Sequence, residues 1–526
     1  MGLTRACYFA VALCAAGSLS AQPPGIGQNG VVNAASRIPP TLPGGAIARG
    51  ALFTVYGVRL AAKSTSVALK RPGVTLPIKI LSQQPKRLEA LMPMSAPLGS
   101  SSLVVTVDGM PSKPFPIEIA AFNPGIFARN QSGWGPGRIE NIDHSGKRSA
   151  NSPRNPARPG QKISFAATGL GGAKEVTVVV GNRVVKGTVA NHVEEDQVSL
   201  TLPGNTPAGC WVPLYIPATP DRASNSVTIS IRSTPGPCDS GLFPLWSSKK
   251  IILAALSRTR TKPVRPGQPD VFREEARIAV RLPIPEFVPP PHGLLPPPGT
   301  CSTSASSAQF DTDLSDSLRI IAFADAQGLD AGNELILSRD TPGKPETREV
   351  SESWQFPGKY HAYIGLTGMP TRRSIPGLFL NAGTYRLTSP GGPDVGTISM
   401  PFSLPVPFEW LDWGEKLVVN RSSGITLHWK NAGPDQLIAI LASNVDQITT
   451  ASAICLCTVR GDAGQFTIPA VLLGNFPVSI EGAPRRLDEL RVASLSAQHS
   501  KSKPARGLDE AIIFTINDTV RQVEYR

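Results

Sequence analysis

One stretch of turn-forming sequence, residues 123–172, separates two strand-rich regions in the first half of the chain. It contains the segments NPGIF, GWGPG, NPARPG and ATGLGG, in which glycine and proline recur every few residues. Glycine supplies the positive φ that tight turns require, and proline holds φ near −65°, which also suits a turn. We interpret this stretch as the joint between two β-sandwich modules.

Short β-branched runs lie on both sides of the joint. ALFTVYGVRL (residues 51–60) and LVVTV (residues 103–107) precede it, and VTVVV (residues 176–180) follows it. LVVTV ends at Asp108-Gly109, a dipeptide that favours a β-hairpin turn. With 49 glycines, 52 prolines and only 17% charged residues, the composition favours strands and turns over long amphipathic helices. The sequence therefore predicts an all-β chain of tandem Ig-like β-sandwich modules joined by Gly/Pro-rich linkers.

The same patterns predict the order of domains along the chain. We expect a signal peptide at residues 1–21, Ig-like β-sandwiches at 22–127 and 128–240, a Pro-rich linker at 241–300, and β-sandwich-like domains at 301–402 and 403–526. The linker is inferred from proline triplets at residues 289–291 and 296–298, because consecutive prolines favour extended polyproline II. Residues 301–526 could also form one domain.

The N-terminus has the layout of an export signal. Arg5 precedes an apolar run at residues 6–16 and the small residues of 17–21, as in a signal peptide. No later apolar run is long enough to span a bilayer. We expect the chain to act outside the cytoplasm, either secreted, in a periplasm or at a cell surface.

Five cysteines follow the predicted signal peptide, and an oxidising compartment favours disulfides between them. Cys210 and Cys238 flank a hairpin-sized strand region and are the predicted pair. Cys455 and Cys457 lie on one strand-like run, and we interpret them as pointing to opposite faces, which leaves Cys301 to pair with one of them. No CxxC or nearby histidine supplies a tetrahedral set, so we predict no metal and no cofactor.

Several short motifs, taken together, resemble a known family. They are VVNAAS (residues 31–36), FTVYGVRLA (residues 53–61), NPGIF, the GWGPG stretch and ATGLG. The resemblance is to an uncharacterised family of exported bacterial proteins with paired Ig-like modules of the IPT/TIG kind, and it covers about residues 28–240. The family's GCxVP motif and later cysteine are matched at residues 209–213 and at Cys238.

The second half of the chain is similar to a β-domain that often accompanies such pairs. LNAGTYRLTSPGGPDVG (residues 380–396) and VNRSSGITLHW (residues 419–429) carry this likeness. The doubled cysteine at Cys455 and Cys457 departs from the single one expected. Both resemblances imply a fold and export, and neither implies an activity.

Loops supply the candidate contact residues, because β-sandwich modules meet ligands through loops at sheet ends or through exposed edges. Trp134 and Arg138 lie in the GWGPGR loop, and Arg460 and Asp462 belong to the tripeptide Arg-Gly-Asp that integrins recognise. The plain alternative is that each is an ordinary turn. An acidic cluster, Asp311, Asp313 and Asp316, has the hard oxygen ligands that Ca²⁺ prefers but lacks the glycine and glutamate of an EF-hand loop.

The sequence contains no pattern that indicates an enzyme. Its six histidines are dispersed, and HExxH, GxSxG and P-loop patterns are absent. The net charge of +13 comes from scattered basic residues without interleaved aromatics, which argues against nucleic acid and leaves an anionic surface or polymer as an alternative. We predict a secreted or cell-surface, non-enzymatic binding or adhesion protein. Its partner would be an extracellular polymer, glycan or protein. The alternatives are a structural spacer or an accessory module of a carbohydrate-active system.

Overall fold

The computed structural model describes residues 22–192, 195–238, 249–262, 267–282, 295–307, 327–341, 343, 345–368, 377–414, 418–446, 448–480, 488–500 and 503–526. Almost all of its regular structure is β-strand, so the all-β prediction is confirmed. The predicted signal peptide and the acidic cluster at Asp311, Asp313 and Asp316 lie outside these residues. No helix of the described part has the length and apolar character needed to cross a bilayer.

The first module is a β-sandwich. Its strands are β1 (Gly25–Asn33), β2 (Ile47–Ala48), β3 (Leu52–Val58), β4 (Thr65–Arg71), β5 (Val74–Gln84), β6 (Arg87–Leu91), β7 (Gly99–Val107), β8 (Met110–Pro111) and β9 (Phe115–Ala120). They follow the order β1-β3-β6-β5-β4-β7-β9-β2, with β8 on β7. β5 pairs with β4 up to Ile78 and with β6 from Lys79, with a register irregularity in the second pairing after Ile80. The two layers enclose one core that contains Phe53, Val55, Leu69 and Val105.

The second module repeats this topology. Its strands are β10 (Gly125–Ile126), β11 (Ile139–Ile142), β12 (Arg148–Ala150), β13 (Lys162–Thr168), β14 (Glu175–Val180), β15 (Arg183–Ala190), β16 (Asp196–Thr201), β17 (Gly209–Tyr215), β18 (Pro217–Thr219), β19 (Arg222–Ala223) and β20 (Val227–Ile231). The first module's order β1-β3-β6-β5-β4-β7-β9 recurs as β11-β13-β16-β15-β14-β17-β20. Its core includes Phe165, Val178, Val212 and Ile229. Two Ig-like sandwiches therefore stand in tandem.

Residues of the turn-rich stretch hold the two sandwiches together. The Asn123 amide donates hydrogen bonds to the carbonyls of Gly44, at 2.8 Å, and Ala46, at 2.6 Å. The Thr168 hydroxyl accepts a hydrogen bond from the Leu52 amide at 2.8 Å. These side chains are buried, so each bond satisfies groups that would otherwise be unpaired away from water. The stretch joins the modules, as the sequence analysis expects.

The second half of the chain is built on one large sheet with smaller sheets beside it. Its strands are β21 (Ile251–Thr261), β22 (Val271–Arg281), β23 (Thr300–Ser306), β24 (Glu334–Arg339), β25 (Glu346–Ser353), β26 (Phe356–Thr367), β27 (Gly383–Ser389), β28 (Ile398–Leu404), β29 (Glu409–Trp410), β30 (Val418–Val419), β31 (Ile425–Lys430), β32 (Leu437–Val445), β33 (Ser452–Arg460), β34 (Gln465–Ile468), β35 (Glu489–His499), β36 (Glu510–Gln522) and β37 (Glu524–Tyr525). A short helix, α1 (Ala470–Leu473), and 3-10 turns at Leu411–Gly414 and Gly461–Ala463 complete it.

The large sheet includes strands from residues 241–300, the range for which the sequence predicts a linker. Its order is β23-β33-β32-β35-β36-β21-β22-β26-β25-β24-β27-β28, so β21 and β22 occupy its middle. β21 pairs with β22 on one side and runs parallel to β36 on the other. Charged residues of these strands pair with opposite charges across them, as Arg258 does with Glu274. The proline triplet at residues 289–291, from which the linker was inferred, lies outside the described residues. Residues 301–402 and 403–526 both contribute strands to this sheet.

Both cysteine pairs lie at bonding distance. Cys210 joins Cys238 with an S–S distance of 1.96 Å, as predicted, and Cys301 joins Cys457 at 2.02 Å. The prediction that Cys455 and Cys457 face opposite sides was wrong, because residues two apart on a strand share a face. Leu456, between them, is the residue that points to the other side and packs there with Trp211.

Removing the Cys210–Cys238 disulfide should destabilise the second module. The bond closes a segment of 28 residues, and a loop of that size gives about 2–4 kcal/mol through restriction of the unfolded chain. The double variant Cys210→Ser, Cys238→Ser should therefore unfold at lower denaturant than the parent. The control is Cys455→Ala, which removes the free thiol and leaves both bonds in place. Alkylation of Cys210 and Cys238 in unreduced protein, detected by mass spectrometry, would contradict the pairing.

Candidate functional site

The predicted contacts in the GWGPGR loop are engaged within the protein. Trp134 is half-buried and packs against the apolar cluster beneath the second module. The exposed guanidinium of Arg138 donates hydrogen bonds of 2.9 and 3.0 Å to the two carboxylate oxygens of Glu195. It also lies 5.2 Å from the centroid of the Phe127 ring. Arg138 stays a candidate contact, and Trp134 serves the packing of the module.

Arg460 and Asp462 bind each other. Arg460 donates from Nε at 3.0 Å and from Nη2 at 2.6 Å to the carboxylate of Asp462. The hydrogen bond from Arg460 lowers the pKa of Asp462 below its ordinary value. The turn between them is held by Trp429, whose Nε1 donates to the Gly461 carbonyl at 2.7 Å. Because the two charged side chains pair with each other, this arrangement favours the ordinary-turn interpretation of the tripeptide.

Three cysteine sulfurs meet inside the second half of the chain. Those of Cys301, Cys455 and Cys457 all lie within 4.8 Å of one another and are buried. Two of them share a disulfide, which removes them as thiolate ligands. Burial raises the pKa of the remaining Cys455 thiol to about 12, so it stays protonated and is a poor nucleophile. We assign this cluster a structural role.

Exposed aromatic side chains gather on the hairpin of β25 and β26. Trp354, at the tip, is 90% exposed, and Phe356 and Tyr363 are each 52% exposed. The Lys359 ammonium lies 4.8 Å from the centroid of the Phe356 ring. The His361 ring meets the Tyr363 ring edge-on, with centroids 5.1 Å apart. Exposing this much aromatic surface opposes the hydrophobic effect, so this group is a candidate contact surface.

The alternation of β26 places three of these residues on one side of the sheet. Lys359, His361 and Tyr363 occupy every second position and therefore project from the same side of the sheet. Tyr360, between the first two, points to the opposite side and is buried in the core. We call the solvent-exposed group of Trp354, Phe356, Lys359, His361 and Tyr363 on this hairpin the hairpin face.

A buried carboxylate organises charged groups beside the hairpin face. Glu275, on the adjacent strand β22, is opposite Tyr363. Its oxygens lie 2.7 Å from Arg277 Nη2, 3.2 Å from Arg273 Nε and 3.7 Å from His361 Nε2. Burial raises the pKa of Glu275, but the nearby His361 ring and the charges of Arg277 and Arg273 outweigh it and lower the pKa overall. Glu275 is therefore ionised and holds donor groups in fixed positions next to the aromatic rings.

The hairpin face has the chemistry that a saccharide requires. The C–H faces of a pyranose ring are apolar and can lie on aromatic rings, while its hydroxyls need hydrogen-bond partners of fixed geometry. Sequence reasoning missed this surface, although two signals were present. ESWQF places Trp354 and Phe356 in a polar turn, and HAYIG places His361 and Tyr363 two residues apart on a strand.

Comparison with known proteins finds only distant structural similarity. No family model matches the chain, and no curated protein is significantly similar to it. Among solved structures, SGBP-B of the Bacteroides ovatus mixed-linkage glucan utilization locus, in complex with a mixed-linkage heptasaccharide, is 13% identical with a TM-score of 0.21, over 35% of this chain and 45% of that one. This chain therefore matches less than half the length of that protein.

Two further structures match over more of the chain. SGBP-B from a xyloglucan utilization locus of Bacteroides uniformis is 13% identical with a TM-score of 0.19, over 73% of this chain and 98% of that one. The FN1–FN3 domains of chicken CNTN1 are 9% identical with a TM-score of 0.16, over 94% and 98%. Similarity at this level carries no conclusion about this chain, whose fold follows from its own strands and cores.

Proposed function

We propose that this chain is an exported, non-enzymatic binding protein that holds a glycan on the hairpin face. The observation that carries the proposal is the exposure of Trp354, Phe356 and Tyr363 on one hairpin, beside a carboxylate that holds arginine and histidine side chains in place. Rings of this kind supply broad contact area at low entropic loss, since each has only two side-chain torsions.

Binding without catalysis fits the charges at the face. A general acid works best when its pKa lies near the working pH, whereas the pKa of Glu275 is lowered. Its carboxylate is also occupied by Arg277 and Arg273. A structural spacer does not require a tryptophan that is 90% exposed, because this exposure opposes the hydrophobic effect. The two disulfides support export, because such bonds persist in oxidising compartments.

Truncating the aromatic rings of the hairpin face should reduce glycan binding and leave the fold intact. On a panel of neutral plant and microbial polysaccharides, the purified protein should be retained by at least one. Trp354→Ala and Tyr363→Ala should each weaken that binding by about tenfold, because an aromatic contact contributes about 0.5–1.5 kcal/mol beyond the area it buries. Affinity electrophoresis and titration calorimetry measure this effect, and an unchanged melting temperature verifies the fold.

Tyr56→Ala is the matched control. Tyr56 is another exposed aromatic residue, on strand β3 of the first module, and its loss should leave glycan affinity unchanged. The bound polysaccharide should be recovered without new reducing ends. Equal weakening by all three substitutions, or a protein that binds no member of the panel, would count against the hairpin face. Release of shortened chains would overturn the non-enzymatic part of the proposal.

A further inference from the structure

A second surface, far along the sequence from the hairpin face, has a different chemistry. A groove of about 750 Å³ opens in the second module between the turn after β11, the loop of residues 152–162 and the segment that follows β20. Its volume lies within the range of small-molecule and sugar sites. Among the described residues, four cationic side chains line it, Arg154, Arg158, Lys162 and Arg232, against one carboxylate, Asp143.

The Asp143 carboxylate of this lining is engaged by its own turn. Asp143 accepts hydrogen bonds from the Ser145 hydroxyl, at 2.7 Å, and from the backbone amides of Ser145 and Lys147, each at 2.9 Å. The bond from the Ser145 hydroxyl is the main cause of its lowered pKa. The Asp143 carboxylate therefore stabilises its own turn, and its charge only partly offsets the positive charge of the groove.

Three cations of the groove differ from other arginines of the second module. Arg138 and Arg148 pair with Glu195 and Glu140, each at 2.9 Å. Within the described residues, no carboxylate lies at ion-pair distance from Arg158, Lys162 or Arg232. Like charges that converge without a carboxylate partner raise the local positive potential and attract an anion.

The walls of the groove are held in place before any ligand arrives. Asn151 is buried and donates to the Ser230 carbonyl at 2.9 Å, while its own carbonyl accepts from the Ser230 amide at 2.9 Å. The Cys238 amide donates to the Pro153 carbonyl at 2.8 Å, and the disulfide ties Cys238 to β17. A rigid site loses less entropy when it binds.

We propose that this groove binds an acidic saccharide, a sugar unit that carries a carboxylate or sulfate group. Arginine presents a fork of donors that matches either anion, and the hydroxyls of Ser149, Thr201 and Thr234 on the lining suit sugar hydroxyls. No Phe, Tyr or Trp occurs among the described lining residues, so the groove lacks the stacking platform typical of single-stranded nucleic-acid sites. The inference rests on the proposed function only for the class of ligand, a saccharide.

The test uses three polymers that differ in charge: polygalacturonate, dextran sulfate and neutral dextran. The purified protein should bind an acidic polymer at low salt and release it at high salt. It should not bind neutral dextran. Arg158→Ala combined with Lys162→Ala should weaken acidic-polymer binding by at least about tenfold, since each removes a charge-assisted contact. An effect on polygalacturonate alone identifies a carboxylate site, an effect on dextran sulfate alone a sulfate site, and an effect on both a site for either anion.

Lys63→Ala combined with Lys113→Ala is the charge-matched control. Both lysines are exposed on the first module, so this variant loses the same net charge and should retain binding. Equal weakening by the two double variants would overturn the inference, because the attraction would then be a property of the whole basic surface. Trp354→Ala separates the two proposals, since it should spare acidic-polymer binding. If no neutral glycan binds but the groove variant still loses the acidic polymer, the hairpin face fails and the groove stands.

Discussion

Replacing Glu274 by alanine should destabilise the large sheet by about 3–5 kcal/mol, the usual effect of breaking a buried ion pair on one side. Glu274 has an exposed fraction of 0%. Its carboxylate accepts hydrogen bonds from Arg258 Nε at 2.7 Å and from the backbone amides of Phe379 and Leu380 at 2.6 and 3.1 Å. The substitution leaves the mostly buried guanidinium of Arg258 with Asn381 but without its carboxylate. It also leaves two buried N–H groups without an acceptor.

Thermal unfolding of the second half of the chain measures this effect. For a unit of this size, the loss corresponds to a fall in melting temperature of roughly 10 °C. Glu274→Gln keeps oxygen and volume and should recover part of the loss. The matched control is Glu334→Ala, at an exposed position on β24, which should have little effect. A melting temperature for Glu274→Ala within about one degree of the parent would mean that β22 is not anchored through this carboxylate.

Replacing Gly169 by alanine should have the second large effect, at the joint between the sandwiches. Gly169 has φ of +79°, and a Cβ there would lie 2.3 Å from the carbonyl oxygen of Asn123. The left-handed conformation costs a residue with a Cβ about 1–2 kcal/mol, and forced overpacking adds about 1–3 kcal/mol. The clash falls on backbone, which cannot rotate away as a side chain can. The joint itself must shift.

Gly146→Ala separates the two contributions. Gly146 has a similar φ of +84°, but a Cβ there would meet nothing within 4 Å. We expect Gly146→Ala to show only the conformational cost and Gly169→Ala to show more. Chemical denaturation followed by tryptophan fluorescence compares them. Equal losses of stability at the two positions would argue that the sandwiches do not press on each other at Asn123.

The strands and turns of the two sandwiches were predictable because their signals are local. A β-branched run followed by Asp108-Gly109 strongly favours a hairpin, and the structure has this hairpin between β7 and β8. The Cys210–Cys238 pair was predictable for a related reason, since the two residues flank one short region. The joint at residues 123–172 could be located from its glycines and prolines alone.

The central place of β21 and β22 was not predictable from their own residues. β21 finds its parallel partner, β36, more than two hundred residues further along the chain, and no local pattern encodes such a pairing. Charged residues such as Arg258 and Glu274 do not by themselves indicate a central strand, because they pair only when β21 and β22 lie side by side. Exposure is a similar case, because Tyr360 and Tyr363 are both aromatic residues of β26, and only the packed sheet decides which one is buried.

By itself, the sequence determined the class of structure, the repeated sandwich and the position of the joint, since backbone preferences of glycine, proline and β-branched residues act over a few neighbours. Tertiary structure decided which cysteine Cys301 meets, which charges are paired and which are left facing a groove, and which aromatic rings stay in contact with solvent. Those properties depend on distances between residues far apart in the chain, and such distances exist only once the sheet has formed.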